Sequence, residues 1–227
     1  MSDPLSALLG KRDWLLLDGA TGTNLFAMGL ESGEPPELWN VERPDAVRAL
    51  HDGFIEAGAD LVLTNSFGGS AYRLKLHEAQ GRVHELAEAA ARLARERADR
   101  AGRPVIVAGS VGPTGELLQP VGSLSHADAV AAFEAQIAGL MAGGADVIWA
   151  ETISAEEEMR AAAEAAARQG APFCATLSFD TAGRTMMGVT SADWARIAGS
   201  LAVEPVAIGA NCGTGAPDLI RTVLGIA

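Results

Sequence analysis

Short unbroken apolar runs alternate along the chain with longer stretches in which apolar positions recur every three to four residues. The runs are Trp14-Leu15-Leu16-Leu17, then residues 59–64, 104–109, 145–151, 172–177 and 205–208. Each reads as a strand buried on both faces, which makes six strands. Between them the period is helical, with one-sided apolar sets Val47, Leu50 and Phe54; Val83, Leu86, Ala90 and Leu93; Val130, Phe133, Ile137 and Leu140; and Trp194, Ile197, Ala198 and Leu201. Helix starts are predicted at Ser125, Ser154 and Thr190, each three residues ahead of an acidic residue, and helix ends at Gly58, Gly102, Gly143 and Gly170.

Alternating strands and helices predict an α/β fold, with a parallel sheet covered by helices, as a (β/α) barrel or an open doubly wound sheet. The first glycine turn is spaced G-x-x-G at Gly19 and Gly22 rather than G-x-G-x-x-G, which places the dinucleotide fold second. Long polar segments follow the first three strands, at 19–44, 65–82 and 110–125, while helix-to-strand turns are short. That asymmetry is the mark of a TIM-type (β/α)8 barrel, whose site is built from loops at the strand C-terminal ends. Six units leave such a barrel short, so residues 1–227 are expected to form a single barrel domain, incomplete at its C-terminus.

Charge narrows the partners. With 17 Lys and Arg against 29 Asp and Glu, the net charge of −12 repels nucleic-acid backbones and anionic membranes. The start Met1-Ser2-Asp3-Pro4 lacks a basic segment followed by a long apolar run, and no stretch of roughly 18 apolar residues occurs. A cytoplasmic protein is expected. Two cysteines, Cys174 and Cys212, are too few for a disulfide framework and read as free or metal-binding thiols.

The residues with chemistry to offer stand at strand ends. Cys212 follows Asn211 just after the sixth run, a position for a metal ligand or a nucleophile, although a small buried cysteine is the commoner role of a lone thiol. Cys174 lies inside the fifth run and reads as core, and His51, His77, His84 and His126 share no ligand spacing. Glu151 closes the fourth run and Asp18 the first. In a barrel the two carboxylates come near each other, where they suit the ammonium of an amino acid while N–H groups of the Asp18-Gly19 turn take its carboxylate. The small-residue turns Thr64-Asn65-Ser66-Phe67 and Gly109-Ser110-Val111-Gly112-Pro113 either line the pocket or permit tight reversals.

Taken together, Asp18-Gly19-Ala20-Thr21-Gly22-Thr23, Thr64-Asn65-Ser66-Phe67, Gly109-Ser110-Val111-Gly112-Pro113, Glu151-Thr152 and Asn211-Cys212 resemble the homocysteine S-methyltransferase family, in the family's order and along nearly the whole chain. Within it, the sequence is similar to bacterial betaine–homocysteine S-methyltransferases and to the homocysteine-binding module of methionine synthase. The resemblance implies methyl transfer from a small donor, betaine favoured, to homocysteine, forming methionine. It implies zinc in the complete protein, with Cys212 as ligand and catalytic residue; the Gly-Gly-Cys-Cys-Gly stretch that supplies the family's other two thiolates is absent from these 227 residues. Asp18, Gly19 and Glu151 match the family's homocysteine contacts, with Thr64, Asn65 and Asn211 around them. Trp39, Phe67 and Tyr72 are the aromatic residues offered to a quaternary ammonium donor. Thr152 stands where animal betaine-using members carry tyrosine, so a cobalamin on a partner domain or S-methylmethionine remains an open donor. The alternatives are a metal-free barrel fragment that associates through its open edge as a homo-oligomer, and an aldolase-like barrel, for which no lysine ends a strand.

Overall fold

The computed structural model describes residues 3–227; Met1 and Ser2, part of the start read above, lie outside them. Five strands, β1 (Leu61–Leu63), β2 (Ile106–Val111), β3 (Val147–Ile153), β4 (Phe173–Leu177) and β5 (Ala207–Ala210), form one parallel sheet in the order β1-β2-β3-β4-β5. Ten α-helices are present among the described residues: α1 (Pro4–Leu9), α2 (Thr21–Ala27), α3 (Trp39–Glu42), α4 (Pro44–Glu56), α5 (Ala71–Leu74), α6 (Val83–Arg100), α7 (His126–Ala142), α8 (Glu156–Arg168), α9 (Ser191–Ala198) and α10 (Ala216–Ile226). A strand order that never reverses has no topological switch point, which removes the doubly wound alternative. Right-handed crossovers in one direction put α6, α7 and α8 side by side on the same face of the sheet. The other face curves inward, as in a TIM-type barrel.

The strand period divides the core in two. Outward Val107, Val111, Ile148, Ala150, Phe173, Ala175 and Leu177 pack under the helices with Phe133, Ile137, Leu140, Met159 and Trp194. Inward Leu61, Ile106, Ala108, Val147 and Cys174 form a second, smaller cluster. Register sets Ser110 beside Trp149, Trp149 beside Cys174 and Cys174 beside Ala207, so Cys174 is an interior packing residue. Helix α1 closes the floor of this interior: Asp3 caps it by accepting from the Ser6 N–H at 2.9 Å, and Leu5 and Leu8 pack into the inward cluster.

The first predicted strand is corrected. Leu17 makes one isolated parallel bridge with Leu61, the Asp60 N–H donates to the Leu16 carbonyl, and Trp14 is 71% exposed. The segment holds a sheet-edge position with a partner on one side only among the described residues, and this is too little to sustain a ladder. Asp60 ties it down by accepting from the Leu16 N–H at 3.1 Å and from Arg12 at 2.6 Å. Asp146 does the same one unit later, accepting from the Val107 N–H and from Arg95, both at 2.8 Å.

Caps follow the sequence with one exception, at Ser154. Ser125 accepts from the Asp128 N–H, and Thr190 and Asp193 form a full capping box. Ser154 caps nothing, because α8 starts later, after Ala155, with three glutamates in its first turn. After α7 the left-handed residue is Gly144 (φ 96°), while Gly143 remains helical (φ −78°).

Candidate functional site

The loops predicted to be long do gather at the C-terminal ends of the strands, and between them opens a cleft of about 690 Å³. Gly19 to Thr23, Thr64 to Gly68, Ser110, Glu151, Thr152 and Cys212 all line it. Four strand ends and the first glycine turn therefore meet in one place.

Glu151 lines the cleft, and the Asp18 carboxylate lies behind the lining, close enough for the two charges to interact. Asp18 accepts the Leu63 N–H through Oδ2 at 2.8 Å, while its buried Oδ1 has no partner among the described residues. Burial pushes the Asp18 carboxyl up to about 7; the Leu63 N–H opposes the rise and the negative charge of Glu151 adds to it. Glu151 accepts the Ser110 hydroxyl through Oε1 at 2.6 Å, and burial raises its pKa too, against that hydrogen bond. A buried acidic pair with one unused oxygen is electrostatically incomplete, and a cation resolves it.

Asn211 ties three strand ends together. The β3–β4 register shifts between Ala150 and Ile153, where Thr152 adopts φ 60°, and Cys212 adopts φ 56°. Left-handed backbone is costly for any residue with a Cβ, most of all a β-branched one. Asn211 Oδ1 offsets the cost by accepting the Thr152 N–H at 2.9 Å and the Thr176 hydroxyl at 2.7 Å. Its Nδ2 donates to Thr152 Oγ1 at 2.6 Å and lies 3.3 Å from Cys212 Sγ. Thr152 Oγ1 stands 3.7 Å from the same sulfur. The bulge turns the chain after Glu151, and the network fixes the exposed Cys212 thiol at the rim of the cleft.

Other sequence-predicted residues have different employment. Thr64 Oγ1 accepts the Ser110 N–H at 3.0 Å and pairs with Ser66 Oγ at 2.6 Å. Asn65 donates to the Pro36 carbonyl at 2.7 Å and to Asn40 Oδ1 at 3.1 Å, so its side chain braces the 36–40 loop. Phe67 lines the cleft. Trp39 does not: it is 4% exposed, packs with Leu25, Val47 and Leu50, and carries the Arg43 guanidinium 4.1 Å over its ring. Tyr72 packs against the helix-side core, outside the cleft lining. An apolar environment claimed both rings, which corrects their assignment to the donor side. Phe26, Glu37 and Arg73, which line the cleft, belong to none of the motifs above, nor does Thr176, which donates to Asn211, while His77, set aside for want of ligand spacing, lines the cleft as well. Only their place in the segments that follow strand ends could have flagged Phe26, Glu37, Arg73 and His77; Thr176 lies within β4.

The homocysteine S-methyltransferase family model matches residues 15–227. The chain belongs to the homocysteine S-methyltransferase family. It is 34% identical over 223 residues to a methionine synthase of Mycobacterium tuberculosis, covering 89% of this chain and 18% of that protein. To a homocysteine S-methyltransferase of Escherichia coli it is 38% identical over 183 residues, covering 72% of this chain and 57% of the relative. The chain thus spans less than two thirds of these relatives' length. The metallated form of the homocysteine methyltransferase MmuM from E. coli superposes with TM-score 0.81 at 27% identity, over 99% of this chain and 81% of that one. No helix among the described residues is long and apolar enough to cross a membrane.

Proposed function

We propose that this chain, in the cytoplasm, binds homocysteine in the cleft and serves the transfer of a methyl group from a small onium donor, betaine first, to its sulfur, forming methionine. The observation that carries the reading is the carboxylate pair. Glu151 lines the cleft with its second oxygen unengaged among the described residues, and the Asp18 carboxylate, with its buried, unpartnered Oδ1, lies behind the lining within range of that charge. The ammonium of an amino acid supplies the positive charge the pair lacks. N–H groups of the turn at Gly19 take the α-carboxylate. The acceptor is then fixed at its amino-acid end, and its sulfur reaches toward the rim where Cys212 stands.

In the transfer, the homocysteine sulfur, having given its proton to water, attacks the methyl carbon in line. The S–C bond forms as the donor's C–N bond breaks, and the electron pair leaves on nitrogen as a neutral tertiary amine. The protein's share is alignment and exclusion of water, worth on the order of several kcal/mol of barrier. Zinc is the metal the family resemblance implies, and Cys212 is the residue that would contribute to it. Among the described residues no three His, Cys, Asp or Glu side chains are grouped to hold a metal ion. One thiolate does not satisfy a four-coordinate centre, so the residues present do not fit the metal and no step is routed through it.

The match to 18% of a methionine synthase favours a second reading, in which the chain is a homocysteine-binding module that receives its methyl group from a cobalamin-type donor on a partner. Both readings require homocysteine in the same place. Calorimetric titration with homocysteine tests them: Glu151→Gln is expected to weaken binding at least about tenfold, and unchanged affinity removes the assignment. Methionine formation with betaine, read by mass spectrometry, decides between the donors.

A further inference from the structure

The lining of the cleft carries a charge arrangement that the homocysteine site does not use. In a chain of 17 basic and 29 acidic residues, Arg73 is the only Lys or Arg among the described residues that lines the cleft, where His77 lies too. Most other arginines here are held in ion pairs within their own helix or to a neighbouring one. Among the described residues Arg73 has no carboxylate within ion-pair distance and its guanidinium makes no hydrogen bond. Glu37, whose carboxylate feels the charge of Arg73, is 5% exposed and already accepts the Gly68 N–H at 2.6 Å. Burial raises the Glu37 pKa, the charges of Arg73 and His77 oppose part of that rise, and all three groups line the cleft.

The Arg73 side chain is exposed and runs beside the loop that follows β2. Gly115, at φ 84°, lacks the Cβ that would stand 3.4 Å from Arg73 Nη1. The same device seats Phe67: a Cβ on Gly112 would meet its ring at 2.6 Å. Phe67 and Phe26, both exposed, are the aromatic rings lining the cleft. The cleft is therefore lined by Glu151, with Asp18 behind it, by the exposed Cys212, by aromatic rings and by an exposed guanidinium without a partner. A guanidinium in that state recognises a carboxylate through two parallel N–H donors.

We propose that Arg73 anchors the carboxylate of the methyl donor, so that the cleft selects onium compounds bearing a carboxylate over onium compounds without one. The inference rests on the homocysteine reading above for the identity of the acceptor. The positive methyl-bearing centre lies against the aromatic rings, and the carboxylate turns to Arg73, away from the acidic pair that would repel it.

The test compares two matched pairs on the full chain, betaine with tetramethylammonium and dimethylsulfonioacetate with trimethylsulfonium. Each Kd is measured by calorimetry with and without homocysteine. Wild-type protein is expected to bind the carboxylate-bearing member of each pair at least about tenfold more tightly. Arg73→Ala should weaken that member by about 10- to 100-fold, leave its carboxylate-free partner unchanged, and leave the Kd for homocysteine unchanged, while Arg73→Lys recovers part of the loss. Arg73→Gln carries the comparison if the alanine variant does not fold. Equal weakening of both members, discrimination that survives without Arg73, or no discrimination in the wild type overturns the inference. Failure of homocysteine to bind the wild type sinks the acceptor reading instead, and the two failures are told apart by which titration is flat.

Discussion

Asp18, half-buried, and His51, fully buried, are titratable side chains with opposite effects on the pH dependence of folding. The Asp18 carboxyl is raised from 3.8 to about 7, so its contribution to stability is complete below pH 3.8 and is lost as pH rises through 7. Asp18→Asn keeps an acceptor for the Leu63 N–H and removes the charge. It is expected to stabilise the protein at pH 8 by on the order of 2 kcal/mol and not at pH 4, while weakening homocysteine binding, a trade between stability and function. Urea titrations at the two pH values check the first part. His51 is fully buried on α4 with neither ring nitrogen partnered among the described residues, and burial lowers its pKa from 6.5 to about 4. Its contribution is intact above pH 6.5 and is lost as pH falls toward 4. Between pH 8 and pH 5.5 this one group should cost about 1.4 kcal/mol, and His51→Leu should flatten the pH dependence by that amount. Identical slopes for the variant and the parent would show that the ring finds a partner.

At the scale of elements, the contact between α6 and α7 is set by glycines. A Cβ on Gly139 would lie 2.6 Å from the His84 carbonyl oxygen, and one on Gly143 would meet the Glu88 carbonyl oxygen and come within 2.7 Å of Ala91 Cβ. Backbone atoms of α6 cannot yield as a flexible side chain does. Gly143→Ala, although it favours helix in isolation, is therefore expected to destabilise the fold by about 1–3 kcal/mol, seen as a lower urea midpoint with unchanged m-value. Most of this level was legible. Helices α4, α6, α7 and α9 showed in their one-sided apolar periods, and Thr190 with Asp193 marked a start because a capping box is local chemistry. Helix α8 was placed too early, since Ser154 has the spacing of a cap but the chain turns only after Ala155. Helix α1 went unnoticed, although Asp3 before Pro4 is a capping signal, because a six-residue helix shows too little apolar period.

The whole molecule leaves apolar surface in the open. Trp14 is 71% and Leu224 74% exposed, Leu16 and Ile220 are also exposed, and β5 pairs with β4 alone among the described residues. An unpaired strand beside apolar groups is a template for association. Sedimentation over a concentration series is expected to show reversible growth in mass, relieved by Trp14→Lys with Leu224→Glu; a single species at every concentration would show that this surface has no partner. The sheet's sequential order could be anticipated from repeated strand-helix units with long loops on one side. Its inward curvature could not be, because nothing in a strand's own composition says which neighbour it will meet.

The sequence alone determined what depends on near neighbours: the alternation of strands and helices, the parallel sheet, the loops that carry polar groups, and the family to which its strand-end motifs belong. Spacing between apolar residues is a local property, and burial drives each element to form with its apolar face turned inward. Only the tertiary structure decided which strand-end groups act together. It brought Asp18 against Glu151, hung Thr152, Thr176 and Cys212 on Asn211, withdrew Trp39 and Tyr72 into packing, and left Arg73 facing the cleft without an ion-pair partner. Those outcomes depend on distances between residues that lie dozens to well over a hundred positions apart. Charge, desolvation and hydrogen bonding act through space, and the space exists only once the chain has closed around it.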